Sequence, residues 1–201
     1  MLPNEFTSKI SEASDIPPEF RKNLEKRGYK FLGAGVDQIA FLSPNGKSVF
    51  KIFGTGGETL STDQKMFLKW VKFCQQNTDN EFLPKFGRVR EVTIDGKIYY
   101  AMFQELLHKR WHIIEMVVLV DAVDSFPDYY PSNTKKKAEG YKTDLTGKGI
   151  DVEKLLTTLR KLRSIGKTSD YVNDIHEDNI MVRSDNTPVI IDPWSVKSGS
   201  M

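Results

Sequence analysis

An α+β fold in two parts is what the 201-residue sequence predicts: a five-stranded antiparallel sheet with one helix, then a smaller and mainly helical part. Three observations carry this. Between Tyr29 and Glu105, short apolar runs alternate with turn pairs such as Asn45-Gly46 and Asp95-Gly96, the pattern of antiparallel hairpins. Inside that stretch, and again after residue 108, apolar residues recur at helical spacing. Near the C-terminal end, the polar segment Asp174-Ile-His-Glu-Asp-Asn179 precedes a strand-like run, Pro188-Val-Ile-Ile-Asp192, that ends on an acid.

Composition sets the frame. Hydrophobic residues make up 39% and charged residues 28%, an ordinary globular balance. A net charge of +2 argues for neither nucleic acid nor a membrane surface as partner. Cys74 is the only cysteine, which excludes a disulfide frame and fits a reducing compartment. His108, His112 and His176 are too scattered for a zinc site. Met1 to Ser11 is polar, and the apolar run Ile113 to Val123 is interrupted by Glu115 and Asp121. A cytoplasmic protein without membrane contact is the expectation.

Residues 1–28 read as an arm with a helix at Pro17-Pro18, capped by Ser14 or Asp15 and stopped by Gly28. Residues 29–107 supply the sheet. Strand, glycine turn (Gly33, Gly35), strand, hairpin and strand lead to Lys51, which stands between Phe50 and Ile52 and leaves the sheet on the opposite face from them. A lysine among apolar neighbours is costly unless an anion satisfies it. Ser61 or Thr62 caps a helix from Asp63 to about Gln76, with Met66, Phe67, Trp70, Val71 and Cys74 as its stripe. Asp63 is in phase with that stripe, which predicts an inward carboxylate. Phe82–Val89 and Lys97–Glu105 complete five strands. In residues 108–201, Trp111–Val123 reads as a helix burying Ile113, Met116, Val117 and Val120. Pro127–Gly149 is polar and rich in turn formers, with Lys135-Lys-Lys137 as a solvated run. Asp151 caps a helix to about Ser164 with Leu155, Leu156, Leu159 and Leu162 inward.

The polar segment carries the chemistry. Asp174 is followed by Asn179 after five residues, and Asn179 by Asp192 after thirteen. Phosphoryl transfer uses such groups: one carboxylate to orient the attacking hydroxyl and take its proton, an amide and a second carboxylate to hold magnesium on the triphosphate.

Both intervals resemble the catalytic loop and metal-binding acid of the protein-kinase-like superfamily. Asp174-Ile-His-Glu-Asp-Asn-Ile-Met181 with Ile190-Ile-Asp-Pro193 is most similar to short bacteriophage serine/threonine kinases, and the His resembles the aminoglycoside-phosphotransferase loop. Val49-Phe-Lys-Ile52 resembles the kinase strand lysine, sixteen residues after Gly35. The resemblance implies a bilobal protein-kinase-like fold with a minimal, truncated helical C-lobe. It also implies ATP and Mg2+ as cofactors and transfer to hydroxyls of host or viral proteins. By position, Gly33 and Gly35 would cover the phosphates, and Lys51 would hold them, oriented by Asp63 or by Glu58. The backbone at Glu105 to Leu107 would meet the adenine. Asp174 would be the base, His176 would stand near the transferred phosphate, and Asn179 and Asp192 would bind the metal.

The sequence departs from the family in three places. Val172-Asn173 replaces the usual His-Arg, Pro193-Trp194 replaces Phe-Gly, and no activation segment or further helices follow. The peptide platform is therefore expected from residues 108–149 or from a homo-oligomer or larger assembly. Two other functions follow from the same features: a small-molecule kinase, and a pseudokinase that binds nucleotide or a partner without turnover.

Overall fold

The structure, a computed structural model, describes residues 17–34, 38–54, 60–167 and 171–196. Among these the fold is mixed α+β, with a five-stranded antiparallel sheet and five α-helices distributed over two compact units.

The first unit comprises Met1–Gln76 and Lys85–Leu106. Helix α1 (Pro18–Lys26) has Pro17 as its N-cap and Pro18 in its first turn, where the missing N–H costs nothing. The suggested caps Ser14 and Asp15 lie outside the described residues. At the other end, Gly28 takes φ +86°, a conformation cheap only for glycine, and the Tyr29 N–H turns back to the Leu24 carbonyl at 3.1 Å.

The sheet contains β1 (Lys30–Ala34), β2 (Gln38–Leu42), β3 (Ser48–Phe53), β4 (Arg90–Ile94) and β5 (Lys97–Glu105), in the order β1-β2-β3-β5-β4. Alternation sends Ile39, Phe41, Ile52, Tyr99 and Ala101 to one face, where they form a core with Leu24 and Ile94. Phe53 and Met102 lie on the other face, packed with Val71 and Phe67 of α2 (Thr62–Gln76). The fourth strand is not Phe82–Val89 but Arg90–Ile94. Asp95 and Gly96, at φ +49° and +76°, form the two-residue turn that fixes its pairing with β5. Phe82 and Leu83 are buried, but in the second unit.

Helix α2 buries Met66, Trp70, Val71 and Cys74, as their spacing predicts, and burial pushes the Cys74 thiol up from its ordinary value. Its start is a reciprocal cap. Ser61 Oγ accepts the Gln64 N–H at 3.1 Å, and Gln64 Oε1 accepts the Ser61 N–H at 3.0 Å. Ser61→Ala is expected to lower stability by about 1 kcal/mol in urea denaturation, and an unchanged midpoint would contradict this role.

The second unit comprises Asn77–Pro84 and Leu107–Met201. Helix α3 (Trp111–Ser125) buries Ile113, Ile114, Met116, Val117 and Val120, and α5 (Val152–Lys167) buries Leu155, Leu156, Leu159 and Leu162. Asp151 Oδ1 accepts the Lys154 N–H at 3.0 Å and caps α5. Two arginines tie α5 to α3. Arg163 bonds both oxygens of the buried Asp121 and the Ser125 hydroxyl, and Arg160 forks onto Asp124 at 2.7 and 2.9 Å. Burial pushes the Asp121 carboxyl above the usual carboxylate value, against the pull of Arg163.

The polar stretch after Pro127 is not a loop. Its main part is helix α4 (Ser132–Gly147), which follows a short 3-10 turn at Pro127–Tyr129. Ala138 and Leu145 are fully buried at helical spacing, and Lys137 and Tyr141 bond Glu115 of α3 at 3.2 and 3.0 Å. Asn77–Pro84 is held to the same unit by Arg183, whose guanidinium bonds the carbonyls of Glu81 and Leu83. Asn80 adds a bond to Thr158 at 2.9 Å. No helix among the described residues is long and apolar enough to cross a membrane.

Candidate active site

The second unit gathers the polar segment through two short antiparallel strand pairs. Strand β6 (Tyr171–Asn173) pairs with β9 (Trp194–Val196), and β7 (Ile180–Val182) pairs with β8 (Pro188–Ile190). The polar segment connects β6 to β7, and Asp192 lies in the connection from β8 to β9. Pairing these four strands therefore brings the two connections together. The backbone completes it: Asp174 N–H donates to Pro193 O at 2.9 Å, and Ile191 N–H donates to Asn179 O at 2.9 Å. Asp192 sits between those two bonds, flanked on one side by the partner of Asp174 and on the other by the partner of Asn179.

Within the segment each side chain has a defined place. Asn179 Nδ2 donates to the Asp174 carbonyl at 2.7 Å and lies 3.3 Å from its Oδ2. With its nitrogen so engaged, the amide turns its Oδ1 the other way. A short 3-10 turn, Glu177–Asn179, follows His176, whose Nδ1 accepts the Asp178 N–H at 3.2 Å. The His176 Nε2 lies 3.6 Å from Asp174 Oδ1 and 3.1 Å from Asn179 Nδ2. His176 thus faces Asp174. All four side chains, Asp174, His176, Asn179 and Asp192, are half-buried, accessible to a ligand yet fixed by backbone.

Two supports were not legible beforehand. Lys109 pairs with Asp178 and lies 4.7 Å over the Trp111 ring, and its hydrogen bond holds the Asp178 carboxyl below the usual carboxylate value. Trp194 is 3% exposed, donates its indole N–H to the Leu162 carbonyl of α5 at 3.0 Å, and stacks on Tyr171. It fixes β9 against α5 and so holds Pro193, the residue that receives the Asp174 N–H.

In the first unit, Lys51 stands on the sheet face that carries Phe53 and Met102, with its ammonium 5.6 Å from the Phe67 ring centre. A Cβ added at Gly33 would meet nothing within 4 Å. Glu105 ends β5, its side chain accepts the Lys85 N–H at 2.8 Å, and Leu107, where the chain enters the second unit, is buried. Gly35 and Glu58 lie outside the described residues.

Asp63 requires a correction. It is exposed, not turned inward as its phase predicts. The residue carried inward at the start of α2 is Gln64, 2% exposed. Helical phase applies to a helix body packed along its length. In the first turn the reciprocal cap decides instead, drawing Gln64 back against Ser61 and leaving Asp63 to water.

Magnesium asks for hard oxygen donors and keeps several waters and phosphate oxygens, so one or two protein ligands suffice. The Asp192 carboxylate and the Asn179 amide oxygen suit that donor set. No group of three or more His, Cys, Asp or Glu that could hold a metal occurs among the described residues.

No protein-family model matches the chain, and no curated protein matches it. Among solved structures the chain is similar to WbdD, in a co-crystal with the kinase inhibitor LY294002, at 16% identity and a TM-score of 0.34. That match covers 92% of this chain and 45% of WbdD, so the chain spans under half of its length. It is also similar to APH(2")-IIa, in a ternary complex with streptomycin and ATP, at 15% identity and a TM-score of 0.32, covering 92% of this chain and 75% of that one. At scores this low neither likeness establishes a common fold.

Proposed function

We propose that the chain is an ATP- and magnesium-dependent phosphotransferase acting on hydroxyl groups, with protein serine or threonine as the acceptor. The observation that carries this reading is the placement of Asp192 between the Asp174–Pro193 and Ile191–Asn179 backbone bonds. It joins two carboxylates and an amide that are thirteen and five residues apart in the chain into one constellation.

The roles follow from what each group can do. Asp174, held through its own N–H and C=O, orients the acceptor hydroxyl and takes its proton as the oxygen attacks. His176, facing Asp174, would stand near the transferred phosphate. Asn179 and Asp192 would hold magnesium, which when bound neutralises charge on the triphosphate. Within the first unit, Lys51 would suit phosphate oxygens, and the open backbone at Gly33 would let them approach.

Incubation of the purified chain with γ-labelled ATP, magnesium, and either host lysate or an aminoglycoside mixture tests the reading. Label on protein, abolished by EDTA, is the expected result. Label on the small alcohol alone would make it a small-molecule kinase. ATP bound without transfer to any acceptor would make it a pseudokinase. Thermal unfolding is a companion test: ATP with magnesium at about 100 times the dissociation constant is expected to stabilise the protein by about 2.7 kcal/mol.

A further inference from the structure

Two buried side-chain oxygens have no hydrogen-bond partner among the described residues, Gln38 Oε1 and Gln104 Oε1. Both belong to the sheet of the first unit, and strand register puts them on the face that carries Lys51. Ala40, Lys51 and Met102 stand side by side across β2, β3 and β5. Gln38 precedes Ala40 by two residues and Gln104 follows Met102 by two, and side chains two apart along a strand share a face. The amides therefore lie on a diagonal through Lys51. Strand spacing and rise put each about 8 Å from it, Cα to Cα.

An orphaned buried amide is costly, and a native structure that keeps one invites the question of what completes it. Gln104 is the deeper case, only 5% exposed. Nearby backbone donors do not satisfy it: the Glu105 N–H goes to Lys85 O at 3.0 Å and the Leu106 N–H to Lys47 O at 3.3 Å. The orphan is an acceptor, so its missing partner is an N–H or O–H.

Resting on the nucleotide-binding reading above, we propose that Gln104 selects the base of the bound nucleotide, with Oε1 accepting from the 6-amino group of adenine. Direction along the diagonal supports this. Gly33 pairs with Ala40, two residues from Gln38 on β2, so the phosphates belong to that end and to Lys51, and the base to the Gln104 end. Adenine presents a donor at its 6-position, whereas guanine and hypoxanthine present an acceptor, which would leave Oε1 opposed as well as unpaired. Gln104 is thus a specificity residue, and its side chain takes no part in the transfer step.

Calorimetric titration of the full chain with the magnesium complexes of ATP, inosine triphosphate and purine riboside triphosphate (hydrogen at the 6-position) tests the proposal. Wild type is expected to bind ATP at least about tenfold more tightly than either analogue. Gln104→Met, close in volume and without the amide, is expected to bring the three within about twofold of one another, and Gln104→Leu serves as a second variant. Melting of the free variants at or above the wild-type temperature shows that the fold is kept, since each removes an unpaired buried amide. Wild type binding all three equally, or Gln104→Met keeping the full preference for ATP, overturns the proposal while leaving nucleotide binding intact. Wild type binding none of the three overturns both.

Discussion

Replacing Asp174 by Asn is expected to lower the rate of phosphoryl transfer from ATP by about 10²–10⁴-fold, the range that a positioned general base contributes. The substitution is chosen because it changes little else. The bonds that fix residue 174, from its N–H to Pro193 and from Asn179 Nδ2 to its carbonyl, are made by backbone and persist in the variant. ATP affinity is expected to stay near the wild-type value, because the carboxylate acts on the acceptor hydroxyl. Single-turnover transfer with labelled ATP separates the two quantities. Equal transfer by both proteins would remove Asp174 from the chemistry.

Trp194→Ala is expected to destabilise the protein by about 3–5 kcal/mol, the cost of emptying a large buried aromatic site. Three things go together: the packing of a 3% exposed indole, its bond to the Leu162 carbonyl, and its stacking on Tyr171. Because β9 continues from Pro193, the loss is expected to reach Asp174 as well, so transfer falls even at temperatures where the variant stays folded. Trp194→Phe keeps much of the apolar volume and is expected to lose less. Urea denaturation followed by circular dichroism reads the first effect. A change below about 1 kcal/mol, the size of a surface effect, would mean that the indole is not the anchor described.

The parts of this molecule that the sequence made legible are those where one periodicity governs a whole element. Leu155, Leu156, Leu159 and Leu162 in α5, or Met66, Trp70 and Val71 in α2, could be assigned inward because each helix packs along its length. Helix α4 escaped because only Ala138 and Leu145 are fully buried among lysines, threonines and glycines, and two contacts do not make a visible stripe. Phe82 and Leu83 looked like a strand because they are apolar. Their burial instead comes from docking in the second unit, by bonds to Arg183 that no local pattern announces. Asp63 was misplaced by a phase argument that the Ser61–Gln64 cap overrides.

The candidate site divides the same way. Residue types and intervals named Asp174, His176, Asn179 and Asp192, since chemistry constrains both. What holds them could not be read, because it lies in long-range backbone bonds and in the single indole of Trp194. The orphaned amide of Gln104 was likewise invisible, since a glutamine in a strand reads as a solvent-facing residue until its burial is known.

The most direct test is whether Asn179 and Asp192 together hold a metal on ATP. Manganese(II) is a spectroscopic substitute for magnesium, and water-proton relaxation reports its ternary complex with ATP and protein. Wild type is expected to form that complex, with Asp192→Ala and Asn179→Ala each weakening it by at least about tenfold, the loss of one charge-assisted or metal-directed contact. Manganese–ATP bound with equal affinity by all three proteins would contradict the assignment.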